Sequence, residues 1–570
     1  MSAILRKLNQ LRSDPVLRSW LLKRALRLTE GPPRFVPHRP PYLSGSLPFP
    51  SEPVGNDDGF ECAPAPAPLN ALEIRLHGNV IRLAAEDAKS VFLEPQEDHE
   101  TYLGLHRFAW LPFAHEPAAP EWVWHLWETW LDQFGDGGEG WPWHPYTAAE
   151  RAINILTFAR SHGLPTPAQK SMDGLARHAA WIADHLEYFG EHYTSNHLAN
   201  NGRGLFTLGL ALGLSKAAAL GREILLNEAG RIFLPSGMLR EGSSHYHLLL
   251  TKNYLAAWLL AVRHDDEAAA ALGEVAGRAL AAAQTFNVPG AVPLIGDISP
   301  DCPPAFVAGI ASGKTDGWLG TLSEAEQGLI TSLSAQEPRS PGRPEQKDGW
   351  LRWGCEGWDS LWYISPDGFP PMPGHGHQDC GSFQLYFNDQ SVFVDLGRGS
   401  YGMDESSAFA CSVRAHNSLS IDDMDPFPTN RPYYSPSFRA AVSGPPPDIE
   451  AARDRLEISH MGFARRNGLG RYSRRCEVNG GGLTLTDSVD GTGTRRICRA
   501  LHTPLRVEST AAGVLLRSDT LTFRLAVHGE INIKPSRQWI AYGEHRPVTT
   551  IEIATRAPLP WSESIVIEVF

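Results

Sequence analysis

Two histidines and an aspartate in the second half of the chain have the residue types and spacing of a metal site. His377 ends the motif HGH, Asp395 ends the next strand-like run, and His416 follows in RAHN. Neutral imidazole and carboxylate are groups that zinc binds. We therefore predict that His377, Asp395 and His416 converge from neighbouring strands on one zinc ion. The alternative is a set of hydrogen-bonded core histidines, because an HxH pair alone is weak evidence for a metal.

Two further segments place polar side chains at the starts of apolar helices. Asn196 and His197 open the helix NHLANNGRGLFTLGLALG, and LREGSSHYHLLL carries Arg240, Glu241 and Tyr246 just before or within another. Helix N-termini favour anions, because their first backbone N–H groups are unpaired. Both segments are candidate binding sites for an anionic ligand. The alternative for each is an ordinary capped helix start.

Aromatic residues gather in WPWHPYTAAERA, which contains Trp143 and Tyr146. Such side chains can stack on sugar rings, although buried core aromatics are the more common case. The motifs GxSxG, GxxxxGK[ST] and a GxGxxG within a βαβ pattern are absent from the sequence, so serine-triad and nucleotide chemistry have no support.

Composition limits the partners and the compartment. The chain has 570 residues, 42% hydrophobic and 20% charged, and a formal net charge of −13, which argues against nucleic acid as the main partner. Its seven scattered cysteines form no CxxC motif and predict reduced thiols. No secretory signal is apparent, so we expect a cytoplasmic protein, with the periplasm as the alternative. Residues 1–28 predict a basic helix that docks on the protein or contacts a membrane surface.

The hydrophobic period divides the chain into three parts. Residues 1–100 are predicted to hold the basic helix, a Pro-rich extended segment and a short hairpin with a turn at Gly78-Asn79. Residues 101–335 carry successive apolar or amphipathic helices, and residues 350–570 change to the alternating pattern of strands. Helices first and strands second indicate a multidomain α+β protein with separate helical and β domains.

The order of these motifs resembles the heparinase II/III-like polysaccharide lyases. The resemblance rests on Asn196-His197, EGSSHYH with Tyr246, and GHGHQD…VDLG…RAHN, and it covers roughly residues 100–430. The segment HRFAWL and the Trp143, Tyr146 and Arg151 spacing are also similar to the helical domain of that family. The resemblance implies an incomplete α/α toroid followed by an antiparallel β-sandwich, with the active site in the cleft between them.

The resemblance also implies roles for individual residues. Asn196 and His197 match the pair that neutralises a uronate carboxylate, and Tyr246 matches the catalytic tyrosine, acting as base, acid or both. His375 matches the active-site histidine, Tyr401 loosely matches a cleft tyrosine, and the zinc would brace the sheet. An unperturbed tyrosine has a pKa of about 10, so Arg240 and Arg414 are the cations expected to favour its ionised form. The predicted substrate contacts are Arg240, Glu241, Tyr401, Arg414, Trp143 and Tyr146.

The expected activity is cleavage of a uronate-containing anionic polysaccharide or oligosaccharide by β-elimination, which leaves an unsaturated end. Two alternatives stay open: a glycoside hydrolase on the same helical scaffold, which would need two carboxylates at a defined separation, and a non-catalytic polysaccharide-binding protein. A homodimer is also left open.

Overall fold

The structure is a computed structural model. It describes residues 11–12, 14–29, 35–44, 49, 52–113, 118–333, 344–371, 374–402, 404–429, 431, 434–510 and 513–570. Part of the predicted basic helix and most of the Pro-rich linker before residue 350 lie outside the described residues. Among these residues, helices occupy the first part of the chain and antiparallel sheets the second, as the change of hydrophobic period predicts.

A helix over residues 15–25 precedes the main helical region, which spans residues 99–333. The helices are α1 Pro15–Ala25, α2 His99–Arg107, α3 Pro120–Phe134, α4 Pro145–His162, α5 Ala168–Asp184, α6 His197–Ala211, α7 Ser215–Ile232, α8 Ser244–Arg263, α9 Ala269–Ala283, α10 Pro304–Ser312, α11 Gly317–Gly320 and α12 Glu324–Leu333. Short loops join successive helices into packed pairs. α6 and α7 approach most closely where Gly209 faces Ala218, because a Cβ on Gly209 would lie 2.2 Å from the Ala218 backbone nitrogen.

Within the described residues, the sandwich domain contains three antiparallel sheets. Its strands are β5 Glu345–Lys347, β6 Trp350–Trp353, β7 Trp358–Tyr363, β8 Ser382–Phe387, β9 Gln390–Phe393, β10 Leu419–Ile421, β11 Asp448–Ala451, β12 Arg455–His460, β13 Leu469–Asn479, β14 Gly482–Gly491, β15 Thr494–Thr503, β16 Arg506–Thr510, β17 Gly513–Arg517, β18 Thr522–Ala526, β19 Glu530–Ala541, β20 Glu544–Pro558 and β21 Trp561–Val569. The sheet orders are β5-β6-β7-β8-β9, β10-β15-β20-β19 and β11-β12-β13-β14-β21-β18-β17-β16. Their inner faces share one apolar core, which includes Trp362, Phe383, Ile458 and Ile551. Helices α13 Glu405–Ala410 and α14 Pro436–Ser443 lie in the connections.

The first hundred residues attach to both domains. α1 packs through Trp20 on Tyr434 and Phe438 of the sandwich domain, with ring centroids 5.0 and 4.8 Å apart. Strands β2 Leu72–Leu76 and β3 Asn79–Leu83 form the predicted hairpin. Its turn is one residue earlier than predicted, because His77 and Gly78 have the positive φ values that a two-residue hairpin turn requires.

Strand β1 Cys62–Ala63 pairs with β4 Leu164–Pro165 in the helical region. All seven cysteines are free thiols, as their scattered positions predict. Within the described part of the chain, the helices are too short or too polar to cross a membrane.

Candidate active site

The candidate site lies where the first turns of α6 and α8 meet the connection between β7 and β8. Ser243 caps α8 by accepting a hydrogen bond from the Tyr246 backbone nitrogen at 3.1 Å, which fixes the first turn that carries the tyrosine. The backbone nitrogen of His375 donates to the Glu241 carbonyl at 2.7 Å. The helix start and the histidine segment are therefore joined directly, across the two domains.

Tyr246 contacts both His375 and Tyr401. Its ring lies parallel to the His375 ring, with centroids 3.6 Å apart, and its hydroxyl is 2.8 Å from the Tyr401 hydroxyl. Tyr401 gives its only hydroxyl proton to the Ile298 carbonyl at 3.1 Å. Because that proton is used, Tyr246 is the donor between the two hydroxyls. Three of the predicted site residues are thus brought together.

The environment of Tyr246 keeps its hydroxyl protonated. Burial, followed by the negative charge of Asp301, raises the pKa of Tyr246 well above 10. Arg240 donates instead to the Thr194 carbonyl at 3.0 Å, and Arg414 pairs with Glu552 at 2.9 Å. Neither arginine is therefore bonded to Tyr246 in this structure, and their roles beside Tyr246 and in substrate contact stay predictions.

Asn196 points its side chain into the site and does not cap α6. Its Nδ2 donates to Glu241 Oε2 at 2.9 Å and lies 3.5 Å from His375 Nε2. Glu241 is fully buried, so its carboxylate orients the Asn196 amide from the protein interior. A direct substrate contact by Glu241 stays a prediction.

His197 is paired with an acid that the sequence did not single out. Its Nδ1 lies 2.7 Å from Glu187 Oε1, and Asn201 donates to Glu187 Oε2 at 3.0 Å. Burial opposes ionisation of Glu187, but the charge and hydrogen bond of His197 outweigh it and lower the pKa of Glu187 to about 2. Burial would lower the pKa of His197, yet Glu187 raises that pKa above its usual 6.5. The pair therefore favours a cationic imidazole at the start of α6.

Asp297, in the loop between α9 and α10, is a second acid that the sequence did not single out. Its Oδ2 lies 3.1 Å from His375 Nδ1, and its Oδ1 lies 2.9 Å from His377 Nε2 and 3.0 Å from Arg398 Nη1. Burial alone would raise the pKa of Asp297, but the hydrogen bonds from the two histidines hold it far below its usual range. In sequence it is one aspartate within PLIGDISP, and no motif identifies it.

Three buried donor atoms form a group that fits a metal ion. One ligand atom from each of His377, Asp379 and His416 lies within 4.8 Å of the other two. His377 Nδ1, Asp379 Oδ1 and His416 Nε2 are all buried without a hydrogen-bond partner. Unpaired buried groups of this kind are costly unless something binds them. Imidazole nitrogen and carboxylate oxygen are suitable zinc donors.

Asp395, the predicted third ligand, lies on the other side of His416. Its Oδ2 is 2.7 Å from His416 Nδ1, and its Oδ1 accepts from the Gly397 backbone nitrogen at 2.9 Å. In this arrangement Asp395 orients the imidazole. The structure thus groups His377 and His416, two of the three predicted ligands, with the carboxylate of Asp379. The role of Asp395 as a direct ligand stays a prediction.

The aromatic residues chosen from WPWHPY take different positions. Trp143 is buried beside Trp130 and Trp181, so it belongs to the core, in contrast to the predicted substrate contact. Trp141, two residues earlier, is 49% exposed and stacks on His144. Tyr146 donates to Asp301 at 2.6 Å, and the centroid of its ring lies 4.5 Å from that of the His197 ring. It therefore packs against His197, a residue of the site.

Comparisons with known proteins agree with the resemblance drawn from the motifs. Residues 349–566 match the family model described as Heparinase II/III-like, C-terminal, which confirms the predicted resemblance. No curated protein sequence matches this chain.

Two solved structures are similar over most of the chain. A heparinase III is 15% identical and covers 87% of this chain and 80% of its own, with a TM-score of 0.61. A heparan sulfate lyase HepC from Pedobacter heparinus is 15% identical to this chain, with a TM-score of 0.53. The match covers 84% of this chain and 78% of the HepC chain. At this identity the likeness concerns the fold. The predicted helical toroid followed by a β-sandwich is confirmed.

Proposed function

We propose that this chain is a polysaccharide lyase that cleaves a uronate-containing anionic polysaccharide or oligosaccharide by β-elimination. The observation that carries the proposal is the cluster formed by Tyr246, His375 and Asn196, with cationic His197 beside it at the start of α6. The motif resemblance of the chain and the match of residues 349–566 to the Heparinase II/III-like, C-terminal family model support the same activity. The heparinase and heparan sulfate lyase with the same fold make a glycosaminoglycan a reasonable first substrate class to test.

The reaction needs a site that stabilises negative charge next to an acidic C–H bond. A lyase removes the proton at C5 of the uronate, and the electron pair left behind spreads into the adjacent carboxylate. Hydrogen-bond donors placed at that carboxylate stabilise the developing charge. Asn196 Nδ2 and protonated His197 are donors of this kind at the mouth of the site. Glu241 and Glu187 hold them in place at 2.9 and 2.7 Å.

Proton transfer is divided between two stacked rings in this proposal. Tyr246 stays protonated because burial raises its pKa, so it serves as the acid that protonates the leaving oxygen at C4. His375 lies against it, with Nε2 directed toward Asn196, and serves as the base that takes the C5 proton. General acid and base groups of this type each contribute about 10²–10⁴ in rate.

We also propose that one zinc ion is held by His377 and His416 with a carboxylate, for which the grouping of unpaired donors favours Asp379 over Asp395. When bound, zinc would supply a rigid cross-link between the β7–β8 connection and the residues before β10. This cross-link would fix the position of His375, two residues from His377. The catalytic steps proposed above use only side chains of this chain.

The experiment that tests the activity is a screen of anionic polysaccharides with the purified protein. Elimination creates a conjugated C4–C5 double bond, so product formation is read as a rise in ultraviolet absorbance. New reducing ends without that absorbance would instead indicate the glycoside hydrolase alternative. Binding without any cleavage across the panel would indicate the non-catalytic alternative. The Tyr246→Phe protein is the matched control for background cleavage.

The remaining partner and compartment assignments stay predictions. In the described part of residues 1–28, α1 buries Leu17 and Trp20 and exposes Leu22 beside Lys23, a distribution that supports contact with an anionic surface. Vesicle co-sedimentation with anionic and neutral lipids would test it. A homodimer and a cytoplasmic location are tested by light scattering and by cell fractionation.

A further inference from the structure

We propose that Asp297 is a positioning residue whose single carboxylate selects the hydrogen-bonding nitrogen of both the catalytic histidine and a metal-binding histidine. It is the acid that contacts His375 through Oδ2 at 3.1 Å and His377 through Oδ1 at 2.9 Å. The two histidines belong to the β7–β8 connection, whereas Asp297 belongs to the helical domain. The inference rests on the proposed function, because it assigns a role relative to that base and that zinc ion.

The two contacts decide which nitrogen of each ring carries the proton. Arg398 Nη1, an obligate donor, lies 3.0 Å from Asp297 Oδ1, as expected of an ionised carboxylate that can only accept. Each facing ring nitrogen must therefore donate. His375 then carries its proton on Nδ1 and keeps the lone pair on Nε2, the atom that lies 3.5 Å from Asn196 Nδ2.

The same rule applied to His377 places its proton on Nε2. Its Nδ1 is left with a lone pair, and Nδ1 is one of the three buried unpaired atoms beside Asp379 and His416. An imidazole that binds a metal through one nitrogen commonly donates the other N–H to a carboxylate. Asp297 therefore leaves one nitrogen free for proton transfer and another free for metal binding.

Backbone contacts hold the carboxylate rigidly between the two rings. The Asp297 backbone nitrogen donates to the His375 carbonyl at 2.9 Å, and Ile298 donates to the Arg398 carbonyl at 2.8 Å. Ser243, the cap of the helix that carries Tyr246, donates to the Asp297 carbonyl at 2.7 Å. Ser243, Asp297 and the segment that carries His375 are thus connected by hydrogen bonds across the domain boundary.

The test is Asp297→Asn, which keeps the size of the side chain. An amide offers one acceptor and one donor, so it cannot accept from both imidazoles. The matched control is Asp348→Asn, because Asp348 also links the domains, through Ser236 at 2.5 Å, but has no histidine partner among the residues that the structure describes. Asn also tolerates the positive φ of residue 348.

Zinc affinity, measured by competition with a chelator, and the kinetic constants are compared in the two variants and in the wild type. We expect Asp297→Asn to lose about 10–100-fold in zinc affinity and a comparable factor in kcat, with KM little changed, whereas Asp348→Asn changes neither. A kcat loss that zinc saturation does not restore is the result expected from the His375 contact.

Three results would overturn the inference. They are unchanged zinc affinity and kcat in Asp297→Asn, a loss of only one of the two, and equal losses in the Asp348→Asn control, which would assign the effect to domain contact alone. A wild-type protein that lacks zinc or eliminase activity would instead contradict the proposed function. The zinc content and the activity of the wild type are therefore measured before any variant is compared.

Discussion

The ring of Tyr246 lies parallel to the ring of His375, with 3.6 Å between their centroids and 8° between their planes. The two residues come from different domains, so this contact assembles the proposed acid and base only when the domains are packed together. The tyrosine hydroxyl donates to Tyr401, and His375 is held by Asp297. Each member of the pair is therefore oriented by a separate partner.

Tyr246→Phe tests whether the tyrosine serves as the acid alone. The change removes one oxygen and little packing, so the melting temperature should stay close to that of the wild type. On a natural substrate we expect kcat to fall by about 10²–10⁴. On a uronate with fluoride at C4, whose departure needs little protonation, the variant should recover most of its turnover.

The matched variant is His375→Ala, which should lose turnover on both substrates because the C5 proton must still be removed. If Tyr246→Phe stays equally inactive on the fluoride substrate, Tyr246 is the base as well. If a folded Tyr246→Phe turns over the natural substrate at the wild-type rate, the assignment of Tyr246 is wrong.

Asn196→Ala tests the stabilisation of charge on the substrate carboxylate. Loss of one well-placed donor should lower kcat by about 10²–10³, with a smaller change in KM, because the charge develops mainly in the transition state. The control is Asn227→Ala, on the exposed surface of α7, where the amide donates to the Glu223 carbonyl. A kcat effect no larger than that of the control would contradict the role of Asn196.

Glu187→Gln should move the alkaline limb of the pH profile of kcat/KM to lower pH. The negative charge of Glu187 raises the pKa of His197, so the cationic form persists as the pH rises and is lost only when the pH passes that raised pKa. Removing the charge lowers the pKa, and the limb shifts toward acid. Glu191→Gln, an exposed acid nearby that accepts from Tyr188, should leave the limb in place; a shift of equal size there would point to a general charge effect.

Metal analysis of protein purified without added zinc tests the proposed ligands. We expect about one zinc per chain in the wild type and in His545→Ala, an exposed control, and almost none in His416→Ala. Asp379→Asn should lose as much zinc as His416→Ala, whereas Asp395→Asn should weaken binding by about 10–100-fold, as for an orienting carboxylate. The reverse order would make Asp395 the ligand, and equal zinc in wild type and His416→Ala would exclude the site.

The sequence by itself determined the features that depend on neighbours along the chain. Apolar spacing and the Ser243 cap are local, so the start of α8 and the placement of Tyr246 at its first turn could be predicted. The change of period between the helices and the strands indicated the two kinds of domain for the same reason. The motifs supplied Asn196, His197 and His375, because residue types in a fixed order are visible in the printed sequence.

Only the tertiary structure decided which partners these residues have. Asp297 lies 78 positions from His375, and Tyr401 lies 155 positions from Tyr246, so domain packing alone brings them together. The same packing buries Trp143 and leaves Trp141 exposed, although both stand in one aromatic motif. It also surrounds Tyr246 with buried surface and the charge of Asp301, which reverses the expected direction of its pKa shift. Burial and long-range charge depend on the folded chain as a whole, and no local pattern encodes them.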